Sequence, residues 1–353
     1  MKAFWAKIVA YFMAVIAFFT GFFGLNKKPA EPQPEPTTVI EQTTEPVTEP
    51  TSEPTSEPTT SIYWESGTYM LKKGPQKTMN INAIHQLESV TDTIGDGYII
   101  TTEDGKVIVI DGGYKTETAN FLSYLKTVTG QEQPHVDLWF LTHPHGDHCQ
   151  VFYELIENQP EALTYDTVCL KFAPVGFYVG IDSEAEYLVG EYERLHPLFA
   201  DKEYIPADGD RFSVGAARFT MLYTFDPSFT RCNESSLVFR MELGGKSVLF
   251  TGDLAFNAAY KMMNNPEYAP LLDCDVCKMA HHGQDAVNRD FYEVVTPEIC
   301  LWPTPSWLWT NLNGTGPYTT LETREWVEDL GVAKSVIKMD GSFVLFLNET
   351  ADM

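Results

Sequence analysis

The chain has 353 residues, enough for one large domain or two small ones, and 49 Asp and Glu against 24 Lys and Arg give a formal net charge of −25. An acid excess of that size repels polyanions at long range, so nucleic acid is not the expected partner. Six cysteines with a single Cys-x-x-Cys (Cys274, Cys277) exclude a zinc ribbon, which needs two.

The amino end differs in kind from the rest. Residues 8–25 are almost wholly apolar, flanked by Lys2 and Lys7 before and Lys27 and Lys28 after. Eighteen such residues reach the lower limit for spanning a bilayer, so residues 1–28 are expected to be a signal anchor, secreted only if cleaved. The flanking charges nearly balance and orient it weakly. Residues 29–61 repeat Glu-Pro at 45–46, 49–50, 53–54 and 57–58 among Thr and Ser, the composition of an extended, unpacked linker. Its seven Glu and the four Lys before it leave residues 62–353 at −22. That body is expected to be held off a membrane on its outer side.

Strand signals start at Asn80–His85 and Gly97–Thr102. The turn Asp104-Gly105 leads into the apolar run Val107–Asp111, a hairpin signal, and Asp111 enters a Gly-Gly turn. Helices are expected at Thr118–Val128, Cys149–Asn158 and Ser183–Phe199. Cys274 and Cys277, read as one strand, would point to opposite faces, and the cysteines are expected to be mostly free buried thiols.

Between the first two of those helices, the apolar strand Val136–Leu141 runs into Thr142-His143-Pro144-His145-Gly146-Asp147-His148. Four potential ligands, His143, His145, Asp147 and His148, fall within six residues of a chain with only 8 His. Imidazole and carboxylate suit a borderline divalent cation, and a strand end holds them on a rigid base with their tips open. Three later blocks follow: Asn233-Glu234-Ser235-Ser236-Leu237-Val238, then Phe250-Thr251-Gly252-Asp253, then His281-His282-Gly283.

This order resembles the metallo-β-lactamase superfamily over roughly residues 80–347. The resemblance implies an α/β (α+β) fold, a four-layer αβ/βα sandwich of two mixed sheets flanked by helices. It implies two divalent cations, zinc with manganese as the alternative. One would be held by His143, His145 and Asp253, the other by Asp147, His148, Asp253 and His282, with Asp253 bridging. Asp111 would orient the metal loop. His281 would bind in place of His282 or lie over the substrate. Asp147, Asp253, Asp111 and His281 are the expected catalytic residues. Many relatives carry another metal histidine about twenty residues before the bridging aspartate, and here that stretch has none. The pattern thereby resembles a narrower group, containing the domain of DNA-uptake (competence) channel proteins and the cell-surface phosphorylcholine esterases. β-Lactamase and glyoxalase activities are not expected.

The expected reaction is attack by a metal-bridging hydroxide on phosphorus or a carbonyl carbon, a phosphoester being the first reading and phosphorylcholine on an envelope polymer one substrate that fits it. Trp302, Trp307 and Trp309 lie in a Pro-rich stretch and could offer aromatic faces to choline. A packed aromatic loop is the plainer expectation for them. Two other readings stand beside this one: a nuclease-like domain, and a surface binding module without catalysis.

Overall fold

The computed structural model describes residues 62–66, 69–311 and 318–347. The expected anchor and linker lie outside them. No helix among the described residues is long and apolar enough to cross a membrane.

Strands β1 (Ile62–Ser66), β2 (Tyr69–Lys73), β3 (Ala83–Gln86), β4 (Gly97–Thr101), β5 (Val107–Asp111), β6 (His135–Leu141), β7 (Thr164–Leu170) and β8 (Glu203–Tyr204) build the first sheet. The second contains β9 (Arg211–Val214), β10 (Ala217–Tyr223), β11 (Val238–Leu243), β12 (Lys246–Phe250), β13 (Val276–Lys278), β14 (Ile299–Trp302) and β15 (Lys334–Ile337). Strand β16 (Phe343–Phe346) returns to the first sheet between β2 and β3. Both sheets are mixed. The run β5 to β8 is parallel, as is β12 to β15, while β3–β4–β5 and β9 to β12 pair antiparallel. The β4–β5 hairpin turns at Asp104-Gly105 as expected, with Gly105 at φ +81°.

Strands buried on both faces need apolar residues at every position, which is why the central ones read as unbroken apolar runs. On β5, Ile108 and Ile110 join the core between the sheets, and Val107 and Val109 join the layer beneath the helices. On β6, Leu138 and Phe140 point inward and Trp139 and Leu141 outward. Phe140 stacks on Phe239 of the second sheet, ring centroids 4.2 Å apart. The outer cover of the first sheet includes α1 (Thr118–Thr129), α2 (Gly146–Asn158) and α3 (Ser183–Leu195), through Phe121, Phe152 and Leu188. That of the second includes α4 (Phe256–Met263), α5 (Arg289–Val295) and α6 (Thr320–Asp329), through Met262, Phe291 and Val327. The four-layer sandwich expected from the sequence is the observed fold.

Three local expectations are corrected. Helix α2 starts at Gly146, not Cys149, so Asp147 and His148 stand in its first turn. Cys274 precedes β13, so strand alternation does not apply to it. Cys274, Cys277 and Cys300 share one outer cluster, and all six cysteines are buried and free. Trp302 ends the buried strand β14 instead of standing in a loop.

Candidate metal centre

The parallel neighbours β5 and β6 end side by side, which puts Asp111 beside Thr142. Asp111 is fully buried at φ +56°, a backbone region that costs a non-glycine residue about 1 kcal/mol or more. Its carboxylate repays that strain. Oδ1 accepts the Thr142 N–H, while Oδ2 accepts the Thr142 hydroxyl and His148 Nδ1, all at 2.8 Å. The metal loop is thus tied to the end of the neighbouring strand.

The second sheet supplies the remainder from β12 and β13. Asp253 follows β12, and its N–H donates to Ser236 Oγ at 3.1 Å. After β13, His281 and His282 both adopt positive φ (+47° and +56°). Gly283 follows at φ +80°, where a Cβ would sit 2.3 Å from the Trp302 ring. Only glycine lets the turn lie against that indole.

Ligand atoms converge in two groups that share Asp253. His143, His145 and Asp253 form one, and Asp147, His148, Asp253 and His282 the other, each with ligand atoms within 4.8 Å of one another. Asp253 Oδ2 is 3.7 Å from His143 Nε2 and 3.3 Å from His282 Nε2, and Oδ1 is 3.3 Å from His148 Nε2. His281 lies outside both groups, with Nε2 3.8 Å from Asp253 Oδ2.

Two observations show that these residues fit divalent cations. His148 Nε2 and His282 Nε2 are buried and make no hydrogen bond of good geometry, although His282 Nε2 stands 3.0 Å from Asp147 Oδ2 and both face Asp253, an arrangement that suits a shared cation better than a direct contact. The outer nitrogens, in contrast, face acceptors. His148 Nδ1 donates to Asp111, and His282 Nδ1 donates to the Pro303 carbonyl at 3.2 Å. His143 Nδ1 meets Thr142 Oγ1 at 3.2 Å, and that hydroxyl gives its own proton to Asp111. A carbonyl or carboxylate can only accept, so each outer nitrogen carries the proton and each inner one presents a lone pair.

Electrostatics favour cations as well. Burial alone would depress His148 and His282, but the Asp253 and Asp147 carboxylates carry His148 well above its usual range and His282 up to about 9. Burial raises Asp253, and the His282 and His148 imidazoles with Lys278 pull it well below 3.8 instead. His143 is driven down by burial and by His148. The carboxylate field of Asp253 and Asp147 that raises these imidazoles is the field that a cation would neutralise.

Several residues here were not singled out from the sequence. Lys278 is 1% exposed, with Nζ 2.6 Å from Asp96 Oδ2 and 3.4 Å from Asp253 Oδ1, and it donates to the Gly252 carbonyl. Asp96 lies 3.7 Å from His148 Nδ1 and 3.6 Å from His282 Nδ1. The signal for Lys278 was present, since it is a lone charge in the apolar run Val276–Ala280. Asp96, in the loop before β4, carried no such contrast. Asp182 approaches His145, and Glu184 Oε1 accepts the Gly146 N–H at 3.0 Å.

The three tryptophans divide. Trp302 is fully buried and packs edge-on to Trp309 at 5.1 Å, and Arg324 lies 4.2 Å over the Trp309 ring. Trp302 therefore offers no face to a substrate, a correction that follows from its place on β14. Trp307 is 42% exposed beside Tyr318. It follows Pro303 and Thr304, which hold His282 through its Nδ1 and its carbonyl.

A family model described as the metallo-beta-lactamase superfamily matches residues 90–293. The ComE operon protein 3 of Bacillus subtilis (strain 168) is 32% identical over 94 residues, 26% of this chain. The chain thus matches only 12% of the length of that curated relative. Among solved structures, the metallo-beta-lactamase fold protein YhfI of Bacillus subtilis is similar at 13% identity and TM-score 0.44, covering 74% of this chain and 98% of that one. CmlA, a diiron beta-hydroxylase from Streptomyces venezuelae, is similar at 13% identity and TM-score 0.46, covering 78% and 55%.

Proposed function

This chain belongs to the metallo-beta-lactamase superfamily and gathers two ligand groups on one carboxylate, and we propose from this that it is a metal-dependent hydrolase that cleaves a phosphoester. The observation that carries the reading is the sharing of Asp253 between His143 and His145 on one side and Asp147, His148 and His282 on the other. Two bound divalent cations would acidify water at neutral pH and neutralise charge building on the oxygens of the reacting group.

The protein's own residues would do the remainder. Asp111, Thr142 and Pro303 hold the ligand imidazoles in the required tautomers. His281 is a partly exposed imidazole outside both ligand groups, with its side chain 21% exposed. Its Nδ1 donates to the Asp285 carbonyl at 2.8 Å and its Nε2 accepts the Gln284 side-chain amide at 3.2 Å, so Nε2 would exchange a proton with the substrate in place of that amide contact. Lys278 and Lys338 are buried, so neither offers an open clamp for a phosphate. A small phosphodiester suits such a site better than a polyanion, given −22 on residues 62–353. In the same reading residues 8–25 anchor the chain and residues 29–61 hold the domain outside the membrane, beside envelope polymers. Trp307 is the tryptophan left to meet a choline group.

The partial likeness to ComE operon protein 3 favours a second reading, a nuclease-like domain. One experiment separates the two. Full-length protein is assayed for metal content and for hydrolysis of bis-p-nitrophenyl phosphate, p-nitrophenylphosphorylcholine and single-stranded DNA, beside Asp253→Ala. About two ions per chain and ester turnover lost in the variant are expected. Preference for the choline ester selects the envelope substrate, and DNA cleavage alone selects the second reading. Metal without turnover of any of the three would end the phosphoester reading.

A further inference from the structure

His145 differs from the other candidate ligands. Its side chain is 16% exposed, whereas those of His143, His148 and His282 are fully buried. Its two nitrogens face different neighbours. Nδ1 lies 3.1 Å from His143 Nε2, where the first ligand group converges, and Nε2 lies 3.0 Å from Asp182 Oδ2.

Asp182 is itself held. It is the N-cap of α3, and its Oδ1 accepts the N–H groups of Glu184 and Ala185, both at 3.1 Å. Two residues on, Glu184 accepts the Gly146 N–H, the residue after His145. The first turn of α3 thus grips the metal loop at the side chain of one residue and the backbone of the next. The helix is anchored in turn by Ala185 and Leu188, both buried.

We propose that Asp182 is a positioning residue for the first metal ion: it accepts the His145 Nε2–H and so aims the Nδ1 lone pair at the point where His143 and Asp253 meet. The inference rests on the dinuclear reading above. It matters most at this ion because the first group has two imidazoles and one carboxylate, against four residues in the second. An ion with fewer protein ligands depends more on the alignment of each. Cys232 stands on the same side, with its Sγ in a group with His145 and Asp182 atoms all within 4.8 Å. The carboxylate rather than the thiol makes the 3.0 Å contact assigned here.

The test separates positioning from capping. Asp182→Ser keeps an oxygen able to cap α3 but is too short to reach His145. Asp182→Asn keeps both the cap and an acceptor. Full-length zinc-loaded protein is titrated with a colorimetric chelator, and cobalt(II)-loaded samples are followed by absorption. The wild type should release two ions in separate steps. In Asp182→Ser the weaker-held ion should leave at about 10–100-fold lower chelator, the second ion unchanged, and Asp182→Asn should restore most of the difference. Wild-type retention of both ions in Asp182→Ser would overturn the proposal, as would loss of both together with helical signal. A cobalt–thiolate absorption band that vanishes in Asp182→Ser would also overturn it, because Asp182 and Cys232 would then be ligands themselves. If the wild type holds no ion, the dinuclear reading fails first, and the chelator titration distinguishes that case.

Discussion

Part of the backbone's conformational cost falls on residues of the candidate centre. Asp111, His281 and His282 are non-glycine residues with positive φ, and all three belong to the centre or its support. Strained backbone persists where its surroundings over-determine it. Asp111 is over-determined by three hydrogen bonds, and the His-His turn by Gly283 against Trp302. Gly283→Ala should therefore destabilise the protein by roughly 2 kcal/mol or more, since the methyl meets the indole at 2.3 Å and the position is left-handed. Denaturant midpoints would measure it, and Trp302→Leu in the same chain should recover part of the loss. An unchanged midpoint would mean that the turn and the indole are not in contact.

At the level of elements, the centre is assembled from strand ends and helix starts. β5, β6, β12 and β13 supply Asp111, the His-x-His loop, Asp253 and the His-His turn, and the first turns of α2 and α3 close over them. The loop leading into β4 contributes a pH-sensitive link. Lys338, just past β15, donates to the Gly95 carbonyl at 2.6 Å and the Thr93 carbonyl at 3.3 Å. Burial lowers its ammonium from 10.5 to about 8. Between those values the unfolded chain holds a proton that the folded chain has released, so this group makes stability rise with pH from about 8 to 10.5. Below that window both states are charged and its contribution is level. Unfolding free energies of wild type and Lys338→Met, measured across that range, should diverge with the wild type gaining. Parallel curves would remove Lys338 from the account.

For the whole molecule, ligand convergence should couple metal binding to stability. A cation that binds the folded chain at a hundred times its Kd adds about 2.7 kcal/mol. Chelation should therefore lower Tm, and readdition of zinc should restore it. Asp253→Ala should abolish the zinc-dependent shift, since it removes a member of both ligand groups. A chelator-insensitive Tm in the wild type would contradict a filled centre.

Chain order, through its resemblance to the superfamily, implied the sandwich, and local signals marked most of the residues that converge in the two ligand groups. A strand buried on two faces must be apolar throughout, as in Val107–Ile110, and a ligand cluster such as His143 to His148 is dense enough to be seen without neighbours. The tertiary structure decided what depends on distant segments meeting. Asp182 reaches His145 from 37 positions away, and Lys278 joins Asp96 across two sheets, with no periodicity to reveal either pairing. It also decided the tryptophans. Trp302 reads as one aromatic of a Pro-rich loop, yet the pairing of β14 between β13 and β15 places it in the core. A side chain's exposure is set by what covers it, and only the packed chain holds that information.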